Sequence, residues 1–179
     1  MAQRLIGVGR GRTIDAWCDR SAVLCASDTV RRMADDALGS EPFEGLASRL
    51  AGLIMELANT PDDDERAAGI REIFAHDYVL HSRTGGAVIG VEAYIERIAG
   101  NLGNFPGMLF EMDDLIAQDD RFALRYHWTA PHGDGQIGNE ALEINRVANG
   151  KIVETWNYQD TLALMVQLGV IENPFASPE

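Results

Sequence analysis

The chain has 179 residues, 46% of them apolar, with 28 acidic against 15 basic side chains and a formal net charge of −13. At roughly 100–200 residues per domain this bounds it to one domain, with apolar content enough for a core of its own. So acidic a chain is repelled by nucleic-acid phosphates and anionic lipid headgroups, and no apolar run approaches the ~18 residues of a membrane span.

The first forty residues stand apart in charge: six Arg against five Asp leave them at +1, so residues 41–179 carry −14. The opening stretch holds Arg but no apolar core of a secretory signal, and a cytoplasmic protein is expected. Gly7, Gly9 and Gly11 imitate a glycine-rich loop, but no strand precedes them and no lysine follows, so they predict no phosphate site. Cys18 and Cys25 would sit about 10 Å apart on a helix, too far for a disulfide. No Cys/His cluster has zinc spacing, so no metal is expected. Lys151 is the one lysine, which confines Schiff-base chemistry to that position. A short helix capped by Asp28, with Val30, Met33 and Ala37 on one face, is predicted before the Gly39-Ser40-Glu41-Pro42 break. Residues 1–43 are therefore read as an extension, 44–172 as the domain and 173–179 as a tail.

From Leu46 the period is helical. Leu46, Leu50, Leu53 and Leu57 form a stripe that Ile54 widens. The acidic turn from Pro61 to Glu65 ends that helix and opens a second, whose apolar face is Ile70, Ile73 and Phe74. His76, just before Asp77, is placed at this helix's end. Tyr78 to His81 leaves in extended form, and a third helix from about Glu92 turns Ile95, Ile98 and Leu102 inward. The Asn104-Phe105-Pro106-Gly107 run stops it.

After Gly107 the period changes to two. Strands are predicted over 108–118, 121–130, 140–147 and 151–160, with turns at Asp119-Asp120 and Asn149-Gly150. A short helix from Leu162 to Leu168 ends at Gly169. Helices first and an antiparallel meander afterwards give an α+β fold.

Several strings in this half resemble the SnoaL-like polyketide cyclases of the nuclear-transport-factor-2-like superfamily. They are Asp114-Leu115-Ile116-Ala117, the 121–125 run continuing to His132, Arg146-Val147, and Gly150-Lys151-Ile152-Val153-Glu154. Most specific is the close of the domain, with Trp156, Asp160 and Gln167-Leu168-Gly169. Upstream, Tyr78-Val79-x-His81 and Gly90-x-Glu92 also fit, so the likeness runs from about Leu46 to Ile171. Two positions depart from the family: Ser82-Arg83 follows His81 where Asn-Pro is common, and Thr155 precedes Trp156 where His is common. The resemblance implies a cone-shaped, curved antiparallel sheet wrapped around three helices, a pocket between sheet and helices, and a homodimer through the outer sheet face. It also implies an intramolecular aldol closure or related enolisation of an apolar carbonyl compound, without a cofactor. Isomerisation, dehydration and epoxide opening on the same fold are the enzymatic alternatives. A non-catalytic, dimeric small-molecule-binding module is the alternative from another class.

Strand alternation sorts the candidate residues. Phe122, Leu124, Tyr126 and Trp128 share the face expected to line the cone, with Arg125 and His127 outside. Glu143 and Asn145 are placed with that outer polar surface. On the last strand Ile152, Glu154, Trp156, Tyr158 and Asp160 fall together. The resemblance makes Asp160 the general acid/base, a role that burial of a carboxylate favours; an Asp just before Leu162 equally suits a helix N-cap. His81 and His132 are expected to orient or polarise the substrate oxygen, although a histidine at a helix–strand junction or in a glycine-rich loop also has plain structural uses. Tyr78, Tyr126, Trp128, Trp156 and Tyr158 are the expected substrate contacts, or else core.

Overall fold

The computed structural model describes residues 42–174. The candidate helix after Asp28, both cysteines and the glycine run lie outside the described residues. Three helices and a six-stranded sheet follow in the order α1 (Phe43–Asn59), α2 (Asp63–Ile73), β1 (Phe74–Ser82), β2 (Gly86–Ile89), α3 (Val91–Asn104), β3 (Leu109–Gln118), β4 (Arg121–His132), β5 (Gly135–Ala148) and β6 (Lys151–Gln159). A fourth helix, α4 (Thr161–Gln167), closes the order. Among the described residues no helix is long and apolar enough to cross a membrane.

The leucine stripe forms α1 as its spacing predicts: Leu50, Leu53 and Leu57 are buried with Ala47 and Ala51. Each leucine removed from water stabilises the fold by about 1.5–3 kcal/mol. Helix α2 begins where Asp62 accepts from the Glu65 backbone N–H at 2.8 Å, satisfying one of the orphan donors of a helix start. The two helices approach closely because Gly69 has no side chain: a Cβ there would lie 2.2 Å from Leu57 Cδ2. The predicted second helix runs slightly too far, since Phe74 and His76 already belong to β1.

The strands lie in the order β2-β1-β6-β5-β4-β3. The sheet is curved and unclosed. It is mixed rather than wholly antiparallel, because β1 runs parallel to β6. The β3–β4 and β5–β6 turns fall where the sequence places them, and Asp119 and Asn149 take positive φ there, 55° and 52°. Gly150 follows Asn149 at φ 74°, the pairing a tight type I′ hairpin demands. Pro131 does not end its strand. It pairs with Gln136, and the hairpin turns only at His132 and Gly135. The core lies between the inner sheet face and helices α1 to α3.

Two side-chain amides tie helices to strand backbones. Asn59, the last residue of α1, donates to Phe110 O and accepts from Phe110 N, both at 2.9 Å. Gln167 of α4 does the same at Gly138, accepting at 2.9 Å and donating at 2.8 Å. Phe110 is on edge strand β3, and Gly138 lies past the end of the β5–β6 pairing. Each amide supplies the partner that a further strand would otherwise give.

Candidate active site

The helices and the inner sheet face enclose a cavity of about 270 Å³, near the lower end of the roughly 300–1,000 Å³ usual for ligand pockets. Its wall is largely apolar. Ile54, Met55 and Leu57 come from α1, Ile70 from α2, Ile98 and Leu102 from α3, and Phe74, Leu80, Phe110 and Trp128 from the sheet. Thr84, Asn101 and Gln159 line it as well and are exposed, so they mark where it opens to water.

One carboxylate stands on this wall, that of Glu143. Tyr126 Oη donates to Glu143 Oε1 at 3.1 Å and Asn157 Nδ2 donates to the same oxygen at 2.8 Å. Burial pushes the Glu143 carboxyl above the usual carboxylate range, because a desolvated charge is costly. The two hydrogen bonds oppose that shift without cancelling it, and the Asn145 amide, whose Nδ2 makes no full hydrogen bond, pulls more weakly the same way. Thr155 Oγ1 donates to Asn145 Oδ1 at 2.6 Å, fixing which way that amide is turned. Burial, and then the neighbouring Glu143, raise the phenols of Tyr94 and Tyr126, which therefore stay protonated donors near neutral pH.

Glu143 and Asn145 overturn the expected parity of β5. They face inward, while Leu142, paired with Arg125 and Tyr158, lies on the outer face. Hydropathy misleads here because the outward residues Leu142 and Ile144 are apolar and the inward ones polar. The hairpin at Gly133-Asp134 carried the missing signal: a two-residue turn closing on His132 and Gly135 sets Glu143 opposite Leu124, and directly opposed residues share a face.

Of the sequence-predicted residues, Tyr126 and Trp128 line the cavity. Tyr78 is 1% exposed and sits behind the wall, its ring 4.7 Å from Phe74 and 4.9 Å from Tyr94. Trp156 and Tyr158 are on the outer face, a correction with a definite cause. The pairing changes from Arg146–Glu154 to Val147–Ile152, so one extra residue in β6 forms a bulge and reverses the parity beyond it. Ile152 stays inside, and Thr155 and Asn157 replace Glu154 and Trp156 as inward residues.

His81 also points outward. It pairs with Trp156 across the parallel β1–β6 ladder and stacks on that ring, centroids 5.2 Å apart. Its Nε2 lies 2.9 Å from Glu154 Oε1, and Arg146 Nε donates to Glu154 Oε2 at 3.0 Å. These contacts hold the Glu154 carboxyl below its usual range, the hydrogen bond with His81 contributing most. His81 therefore stands outside the cavity and does not reach a substrate oxygen there. His132 is exposed at the β4–β5 hairpin. Asp160 is exposed and caps α4, accepting from Ala163 N at 2.9 Å; the wall there is formed by its neighbours Gln159 and Thr161. Among the described residues no three His, Cys, Asp or Glu side chains gather closely enough to hold a metal ion.

The family model of the SnoaL-like polyketide cyclases matches residues 49–168. No curated protein matches the sequence. Among solved structures, AclR from Streptomyces galilaeus, named as a proposed hydroxylase, is 25% identical, covering 70% of this chain and 98% of its own, with a TM-score of 0.56. A proposed polyketide cyclase from Bacillus cereus is 26% identical over 68% of this chain and 79% of its own, TM-score 0.59. IdmH from Streptomyces antibioticus, also named as a proposed polyketide cyclase, shares the fold at 23% identity, 69% and 98% coverage and a TM-score of 0.59.

Proposed function

The chain belongs to the SnoaL-like polyketide cyclase family, and from that membership and the cavity geometry we propose an enzyme that enolises an apolar carbonyl compound with Glu143 as general acid/base. One observation carries the reading: the one carboxylate on a largely apolar cavity wall has a raised pKa. A base works best when its pKa lies near the operating pH, and burial moves Glu143 in that direction. Both donors land on Oε1, leaving Oε2 to take the proton alpha to the carbonyl. The same group returns the proton after an aldol closure or an isomerisation, and this chemistry calls on no cofactor.

The test is deuterium loss from α-deuterated bicyclic aryl ketones. Wild-type protein should accelerate it, and Glu143→Gln should reduce the rate by about 10²–10⁴. If ketones bind and no exchange is accelerated, the cavity sequesters ligands and the enzymatic reading fails.

A homodimer through the outer sheet face belongs to the same proposal. Ile116, Ala123, Ile144, Trp156 and His81 are successive cross-strand partners, forming a mostly apolar row across five strands, with Arg121 5.3 Å from the Trp156 ring centre. Such a row supports a self-complementary, twofold contact.

A further inference from the structure

Arg66 lies in α2 and is 5% exposed, yet it forms part of the cavity wall. Both terminal nitrogens go to a single oxygen of Asp63, Nη1 at 2.7 Å. That carboxylate belongs to the solvent, its side chain 78% exposed. The Arg66 Nε is buried and has no hydrogen-bond partner. A guanidinium keeps its charge in a protein, so this group cannot relieve its burial by losing a proton. An unmet donor on a buried charge is costly. An apolar side chain of similar length would line the same wall without that cost. The ion pair with Asp63 accounts for the two terminal nitrogens and leaves Nε without a partner.

We propose that Arg66 binds an anionic oxygen of the cavity's ligand, so that the substrate is an apolar carbonyl compound that also carries a carboxylate. The carbonyl part of this statement rests on the enolisation reading above; the anion site does not. Arg66 comes from helix α2 and Glu143 from strand β5, and both line the same cavity. Arg97 also lines the cavity. It is only partly buried and reaches Gly85 O at 3.5 Å, which leaves it hydrated and a weaker discriminator.

The experiment uses the full chain with 1-naphthoate and its uncharged methyl ester, titrated by calorimetry at neutral pH. Wild type should bind the acid about tenfold more tightly than the ester, or better, as a hydrogen bond to a charged group allows. Arg66→Met should erase the preference while leaving ester affinity nearly unchanged, and Arg97→Met should keep it. Arg66→Gln serves as the second variant if the methionine form unfolds. Equal binding of acid and ester by wild type, no binding of either, or a preference that survives in the Arg66 variants would overturn the proposal, as would its loss only in Arg97→Met. Glu143→Gln separates the two claims: it should slow deuterium exchange by about 10²–10⁴ and retain the preference for the acid. If exchange is never accelerated and the preference holds, the anion site stands without the enolisation reading.

Discussion

The Tyr126 hydroxyl donates to Glu143 Oε1 at 3.1 Å, across neighbouring strands β4 and β5. The Asn157 amide reaches the same oxygen from β6. This arrangement sets the proton affinity of the one cavity carboxylate among the described residues, because both bonds favour its charged form while burial opposes it. Tyr126→Phe removes one of the two donors and keeps the ring. The carboxyl should then titrate higher, and the rising limb of the pH–rate profile for deuterium exchange should move to higher pH. A profile that stays in place would separate Glu143 from the rate-limiting proton transfer.

The raised Glu143 carboxyl also makes stability depend on pH. The folded state holds the proton more tightly than the unfolded chain, whose carboxyl titrates near 4.5. The resulting stabilisation is present below the unfolded value and is lost as pH rises through the folded one. Glu92 and Glu154 have lowered values and act in the opposite sense, losing their contribution as pH falls. Urea midpoints of wild type and Glu143→Gln, compared across the pH range, isolate Glu143: wild type should lose ground to the variant as pH rises.

Asp160 is expected to act through helix α4. Asp160→Ala removes the acceptor for Ala163 N and should lower stability by about 1 kcal/mol, whereas Asp160→Asn caps nearly as well. Turnover should survive in both. A loss of exchange activity in Asp160→Asn at unchanged thermal midpoint would return the acid/base role to Asp160.

Gln167→Ala frees both Gly138 backbone groups. Two hydrogen bonds at about 0.5–1.5 kcal/mol each predict a destabilisation of about 1–3 kcal/mol. Amide exchange at Gly138 should quicken before that of buried β4 residues. Gly138→Ala should be worse, since its Cβ would come within 2.9 Å of Trp128 O.

The outer-face row predicts a particle of twice the 19.6 kDa chain mass by light scattering at micromolar concentration. Ile144→Lys, at the centre of that row, should halve it. A monomeric wild type would remove the dimer from the proposal.

Local sequence determined much of this protein. The leucine stripe fixes α1, Asp62 fixes the start of α2, and Asn149-Gly150 fixes the β5–β6 hairpin, because each feature acts on neighbours within a turn or two of chain. The closing Gln167 was visible as part of a family motif, but its use was not, since the backbone it clamps is 29 residues away in sequence. Tertiary structure decided which face each late strand turns inward. Side-chain direction has a period of two, so a single extra residue reverses it. The bulge in β6 sent Trp156 and Tyr158 outside and brought Asn157 in. Parallel pairing with β6 set His81 against Trp156 and Glu154, away from the cavity. Glu143 was hidden for the complementary reason: in a strand with apolar residues on both faces, hydropathy does not choose a side. Only register against Leu124 and Asn157 places its carboxylate on the wall of an apolar cavity, where burial raises its proton affinity.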